Sequence, residues 1–246
     1  MREAIVFVHG LYNLLFQLDT LDMSSLALHP VLIPDLLGYG ENAGTSTEIS
    51  VPTQAQYVKS LLDKAGVERA HFVAHSVGGA VAVILAHQYP HRVASFINVE
   101  GNFTLRDAFW SRAIASMMSE EISELLKRYR EDPAAWLGGA GIDVTTDRVA
   151  TAHWSLRLQS AATLQAMARS VVEITAVPSY LEKVKAILDC GIPFHLVAGE
   201  RSRNAWDVPE FVLQRAASMT IQPAAGHLMM LEDPLAFLKI ISRLVG

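Results

Sequence analysis

The chain has 246 residues, with 20 lysines and arginines against 25 aspartates and glutamates, a formal net charge of −5. Hydrophobic residues make up 51% and charged ones 18%, enough apolar surface to offset the ordering entropy of a large core, which excludes a disordered chain. No basic run or stripe supplies phosphate-neutralising charge, so no nucleic-acid partner is expected, and the single Cys190 excludes an internal disulfide or a cysteine metal site.

In chain order, Arg2 is followed at once by an apolar strand pattern, Ala4–Val8 (AIVFV), ending at His9-Gly10; no secretory leader is expected. A second strand is expected over 30–33. Residues 52–65 then place Ala55, Val58, Leu61, Leu62 and Ala65 on one helical stripe that stops at Gly66. Ala70–His75 reads as a strand and Val77–Gln88 as a helix apolar nearly all round; its glycine-containing run over 77–86 is too short to span a membrane. A strand over 94–100 follows. From 101 to 177 no strand pattern appears, only helical ones over 105–116, 120–130 and 146–174 (with interruptions), and Gly138-Gly139-Ala140-Gly141 reads as a flexible break. A helix over 179–188, a strand over 193–198, a helix over 208–217, a strand over 219–222 and a helix over 234–244 complete the chain. Cys190 falls where a small core or helix-end residue belongs. Apolar strands without alternation, separated by helices, predict an α/β fold with a parallel sheet covered on both faces. The expected division is a core of 1–100 and 178–246 carrying a helical cap, 101–177, above the strand ends.

The strongest chemical signal is Ala74-His75-Ser76-Val77-Gly78-Gly79 between a strand and a helix. A serine on so tight a turn needs small neighbours two before and two after, which Ala74 and Gly78 supply. The turn exposes the hydroxyl and aims the Val77 N–H at a substrate carbonyl, with the field of the helix N-terminus behind it. A plain strand–turn–helix with a serine at the helix start would share these letters. Two other segments favour chemistry. Gly10 after the first strand lets the Leu11 N–H turn toward the same point, and His227 lies on a loop before the last helix, in Ala225-Gly226-His227.

These segments, with Pro34-Asp35-Leu36-Leu37-Gly38-Tyr39-Gly40 and the ending Gly226-His227 to Glu232-Asp233-Pro234, resemble the α/β-hydrolase superfamily over practically the whole chain. The resemblance implies that fold, here with a minimal sheet of about six parallel strands, since the usual opening hairpin is missing. It implies a catalytic Ser76 with His227 as base, and Leu11 and Val77 as the oxyanion hole. In most of the superfamily the acid stands about three residues past the glycine of the segment 197–199, where this chain has Ser202. Glu100 is therefore preferred as the acid, similar to a subset that includes some haloalkane dehalogenases, with Glu200 the alternative. A glutamate ending an apolar strand is unfavourable to bury unless paired, and a histidine would pair it. A serine at 76 disfavours dehalogenase chemistry, which needs a carboxylate nucleophile.

The expected activity is hydrolysis of a small-to-medium hydrophobic carboxylic ester through an acyl-enzyme on Ser76, with no cofactor and no metal. Thioester hydrolysis, carbon–carbon bond hydrolysis or a hydroxynitrile-lyase-like reaction on the same residues are alternatives, as is a slow or inactive ligand receptor. His9, Tyr12, Phe103, Trp110, Trp136 and Trp154 are expected to line an apolar substrate pocket, and Arg106, Arg112 and Arg157 are candidates for a substrate carboxylate. The partner is a small hydrophobic molecule, the assembly a monomer or homodimer and the location cytoplasmic, with no membrane association.

Overall fold

Five apolar residues, Ala4–Val8, all buried, form β1, the second strand from one edge of a six-stranded sheet. The computed structural model describes residues 3–15, 17–18 and 23–246; Arg2, on which the reading of the leader rests, lies outside them. The remaining strands are β2 (Val31–Leu32), β3 (Ala70–His75), β4 (Val93–Val99), β5 (Phe194–Gly199) and β6 (Ser218–Gln222). Their order is β2-β1-β3-β4-β5-β6, and every pairing is parallel. β2, on the sheet edge, shortens from the expected four residues to two.

Connections explain why the strands can be parallel. Each strand is returned to the same end of the sheet by a crossover, and most crossovers contain a helix. α1 (Val51–Lys64) opens where the Ser50 hydroxyl accepts the Thr53 N–H, with Pro52 in its first turn. α2 (Val77–Gln88) is buried from Val77 through Ala86, because it packs between the sheet and other helices; a helix with no polar face has nowhere else to go. Its first turn needs glycine. A Cβ on Gly78 would stand 2.3 Å from the Val8 carbonyl oxygen, and one on Gly79 would stand 2.6 Å from the Gly101 Cα. The helix thus enters the sheet closer than any side chain permits.

Between β4 and β5 lie six helices: α3 (Phe109–Ser116), α4 (Ser119–Glu131), α5 (Pro133–Gly139), α6 (Thr146–Arg157), α7 (Ala161–Thr175) and α8 (Pro178–Asp189). No described residue from 101 to 177 belongs to a sheet strand; a single antiparallel bridge joins Tyr39 to Gln159. α8 packs on α2, and Cys190 caps its C-terminus. Instead of a flexible break, Gly138 and Gly139 form the last turn of α5. The Asp132 side chain caps that helix at the Ala135 N–H, and burial of Trp136 and Leu137 outweighs the low helix propensity of glycine. The pattern over 146–174 divides into α6 and α7 at Ser160, whose hydroxyl takes the Thr163 N–H.

Beyond β5, α9 covers only Glu210–Arg215, since the residue before Pro209 is held extended. α10 (Met229–Glu232) and α11 (Pro234–Val245) finish the chain. Among the described residues no helix is long and apolar enough to cross a membrane.

Strand register sets the site. Val8 lies beside Ala74, His75 beside Val99, and Val99 beside Val197. Residues 10, 76, 100 and 198 therefore meet along one edge at the strands' C-terminal ends. The chain order reverses direction around β1, so a crevice opens there between loops that run opposite ways.

Candidate active site

Ser76 occupies the turn from β3 to α2 with φ of 53° and ψ of −122°, a region that residues other than glycine enter only under constraint. The constraint is visible. Its N–H donates to Val99 O at 3.1 Å, and its carbonyl accepts the N–H groups of Gly79 (2.8 Å) and Asn102 (3.2 Å). These bonds fix the serine between two strands and a helix, so its direction does not depend on its own side-chain contacts.

One strand over, Glu100 repeats the device. It follows β4 with φ of 42°, and the next N–H, of Gly101, is taken by the Asn98 side chain at 2.6 Å. The Glu100 carboxylate is buried and engaged on both oxygens. Oε1 accepts the Gly199 N–H at 2.9 Å and the Ser202 hydroxyl at 2.6 Å, while Oε2 lies 2.7 Å from His227 Nδ1. Ser202, in the slot where the resemblance would put an acid, thus donates to the carboxylate of Glu100. Glu200 does not reach the imidazole; its Oε2 accepts the Ala224 N–H at 2.8 Å and shapes the turn leading to the His227 loop.

That loop is held from several sides. Glu232 accepts the Gly226 N–H at 2.6 Å and pairs with Arg201, whose guanidinium also donates to the Ala224 carbonyl. Arg148, on α6, donates to the Glu232 carbonyl at 2.5 Å. His75 Nε2 donates to the His227 carbonyl at 3.0 Å. Burial, followed by the nearby His227, drives His75 well below the ordinary imidazole range, which favours the neutral ring, although the bond to the His227 carbonyl pulls the other way. The His227 ring is bracketed edge-on by Trp110 at 5.5 Å and Phe109 at 6.0 Å, both from the start of α3.

Leu11 sits in the turn after β1, closed by the Asn13 N–H on the Gly10 carbonyl at 3.2 Å. Val77 is the first residue of α2, so its N–H has no acceptor within the helix. Leu11, Tyr12, His75, Ser76, Trp110 and Leu228 are among the residues around a void of only about 10 Å³. A cavity of about 490 Å³ lies on the far side of Tyr12 and Trp110, walled by α3, α4 and α5.

Of the expected pocket residues, the structure brings Tyr12, Trp110 and Trp136 to this cavity and moves the other three away. Phe103 is fully buried, stacked on Trp206 at 5.7 Å, and anchors the start of the helical stretch to the core. His9 is buried under Leu36, whose N–H its Nε2 accepts at 3.0 Å, while Nδ1 donates to the Gly10 carbonyl at 2.7 Å. Burial lowers it to about 4, and it orders the turn without facing the cavity. Trp154 is 38% exposed on α6. Arg106 pairs loosely with Asp207 at 3.7 Å, and Arg112 and Arg157 are exposed; none lines the cavity. Arg128 and Tyr129, which do line it, and the supporting residues His75, Arg201, Ser202 and Glu232 are not among the residues expected at the site. The glutamate of the closing motif was the one signal available for the last of these. Among the described residues no three His, Cys, Asp or Glu side chains are arranged to hold a metal ion.

The sequence profile of the Alpha/beta hydrolase family matches residues 5–240. Among curated proteins, an uncharacterised protein of Mycobacterium tuberculosis is 30% identical over 137 residues, 55% of this chain and 40% of that protein. A 2-hydroxy-6-oxononadienedioate/2-hydroxy-6-oxononatrienedioate hydrolase of Paraburkholderia phymatum is 33% identical over 115 residues, 41% of this chain and 36% of that one. In both relatives the matched stretch is under half of their length. The crystal structure of a hydrolase from Pseudomonas aeruginosa superposes with a TM-score of 0.74 at 21% identity, covering 100% of this chain and 90% of that one.

Proposed function

The chain belongs to the alpha/beta hydrolase family, and from that premise we propose that it is a serine hydrolase cleaving a small-to-medium hydrophobic carboxylic ester. The observation that carries this reading is Glu100. A buried carboxylate, tied on one oxygen by Gly199 and Ser202, presents the other to His227 Nδ1 at 2.7 Å. That bond fixes the proton on Nδ1 and leaves Nε2 with a lone pair to take a proton.

In the proposed reaction the Ser76 hydroxyl attacks the ester carbonyl carbon while His227 Nε2 removes its proton. The negative oxygen of the tetrahedral intermediate is held by the N–H groups of Leu11 and Val77, each worth on the order of 3 kcal/mol in comparable sites. Collapse breaks the carbon–oxygen bond, and His227 returns its proton to the departing alcohol. Water, deprotonated by His227, then attacks the acyl-serine; the acid leaves and Ser76 regains its proton. Glu100 stabilises the imidazolium in both halves. α3–α7 act as the cap, whose aromatic rings favour an apolar substrate over a sugar or a phosphate.

Short p-nitrophenyl esters with Ser76→Ala as control test the proposal, together with labelling by a fluorophosphonate. Turnover that vanishes with Ser76, and label found on Ser76, support it. Label elsewhere with turnover retained in Ser76→Ala would sink it.

A further inference from the structure

The void beside Ser76, about 10 Å³, holds at most a water molecule and cannot take an acyl group. Yet a cavity of about 490 Å³, within the usual range for small-molecule sites, lies one side chain away. The two spaces share two lining residues, Tyr12 and Trp110. These two rings touch edge to face at 5.7 Å and form the wall between nucleophile and cavity.

The two halves of that wall are held differently. Tyr12 is buried, its carbonyl accepts the Ser155 hydroxyl from α6, and its ring meets Trp110, Tyr129 and Trp136 together. Moving it would also displace the neighbouring Leu11. Trp110 is only half-buried and sits in the first turn of the eight-residue α3. No side chain of α3 caps its start; the cap residue Ala108 has no side-chain acceptor. Trp110 is the half that can swing.

We propose that Trp110 is a partition whose displacement joins the two spaces, and that the cavity then receives the larger apolar group of the substrate, an aryl ring or a medium-length acyl chain. This rests on the serine-hydrolase reading and makes it more specific. The lining supports the substrate class. Ile114, Met117, Leu125 and the ring of Trp136 are apolar, and the charged Arg128 and Asp132 are exposed at the mouth. A flat or flexible apolar group finds dispersion contacts there, and an anionic group buried at that depth would find no cation among those four side chains, whose only polar hydrogen is the Trp136 indole N–H. Contact of Trp110 with the His227 ring at 5.5 Å means that the same displacement uncovers the base.

The test measures kcat/KM for p-nitrophenyl acetate, octanoate and benzoate in the wild type, Trp110→Ala and Ala113→Phe. Ala113 is an exposed cavity-lining residue, and a phenylalanine there fills the space without touching Ser76. The readout is the octanoate-to-acetate ratio, with thermal melts to verify folding. Trp110→Ala should raise it by about tenfold or more, and Ala113→Phe should lower it by about tenfold. A change of less than about threefold in either variant, or a change in the opposite sense, overturns the proposal. If the wild type turns over no ester in a Ser76-dependent way, the serine-hydrolase reading fails by itself. The cavity is then tested in Ser76→Ala by binding of N-phenyl-1-naphthylamine, read by fluorescence. Weakening of about tenfold by Ala113→Phe retains the cavity as a ligand site, and no weakening removes it.

Discussion

Replacing Glu100 by glutamine keeps the shape of the side chain and removes the property on which His227 depends. The carboxylate has three donors to satisfy: the Gly199 N–H and the Ser202 hydroxyl on Oε1, and the His227 Nδ1–H on Oε2. A glutamine offers one oxygen and one NH2 group. If its oxygen keeps Gly199 and Ser202, the NH2 faces Nδ1, which must become an acceptor, and the imidazole proton moves to Nε2. A base protonated on Nε2 cannot accept the serine proton. If the amide flips instead, the Ser202 hydroxyl can turn to accept from the NH2, but the Gly199 N–H is an obligate donor and loses its buried acceptor, at about 1–3 kcal/mol. The first arrangement is therefore preferred, and kcat should fall by about 10⁴, equivalent to about 5.5 kcal/mol in the barrier. The assay is steady-state hydrolysis of p-nitrophenyl acetate, with KM expected to change little and the melting temperature followed in parallel. Glu200→Gln retains an acceptor for the Ala224 N–H and should stay within about threefold of the wild type. A Glu100→Gln enzyme within about tenfold of the wild type, or a Glu200→Gln enzyme as damaged as it, refutes the reasoning.

Ser202→Ala removes one of the two donors on Glu100 Oε1 and should cost about tenfold in kcat, with folding intact; an unchanged kcat would show that Gly199 suffices to aim the carboxylate. Gly78→Ala drives a Cβ to 2.3 Å from Val8 O and 2.6 Å from His9 O, both backbone atoms, and should destabilise by about 3 kcal/mol or more; a melting temperature within about 2 °C of the wild type would contradict the packing described. His9 is held by burial at about 4, below the 6.5 of an unperturbed imidazole, and His75 is lowered in the same sense. Between those values the unfolded chain binds the proton and the folded one does not. This stability is complete above pH 6.5 and is lost as pH falls toward 4, by on the order of 3 kcal/mol for His9 alone. Urea midpoints at pH 7 and pH 4.5 measure it, and His9→Asn should show a flatter dependence.

The sheet was legible because all its strands but the last are mostly apolar and each is punctuated by a glycine, a proline or a charged residue. The contact between Glu100 and His227 was legible for a related reason: a carboxylate at the end of seven buried residues requires a partner. Position 202 added to it by holding a serine. What stayed hidden depends on contacts between distant segments. Phe103 reads as a pocket aromatic until Trp206, a hundred residues later, stacks on it. The helix ending at Gly139 looks like a break until the burial of Trp136 and Leu137 is known. His75 was passed over as part of the serine turn, and only the returning loop gives its ring a carbonyl to hold. Arg128 and Tyr129 lie on a mixed-charge helix that reads as a solvated face, because a cavity wall built from three helices has no single-segment signature.

Placing Glu100 next to the strand that leads into Ser76 affects how the molecule assembles in time. Ser76 and Glu100 are 24 positions apart and belong to one strand–helix–strand crossover, 70–99 and its following turn. Both left-handed turns arise as that unit closes, with Gly79 of one packed on Gly101 of the other. His227 is 127 positions from Glu100 and arrives only when the C-terminal third has docked. Contacts of short sequence separation close faster than distant ones. Activity regained during refolding therefore times the seating of the last loop and helix, while the sheet signal times the crossover. A stop-codon series removing α11 and the His227 loop should leave Ser76 and Glu100 side by side, with the Glu100 Oε2 open to solvent.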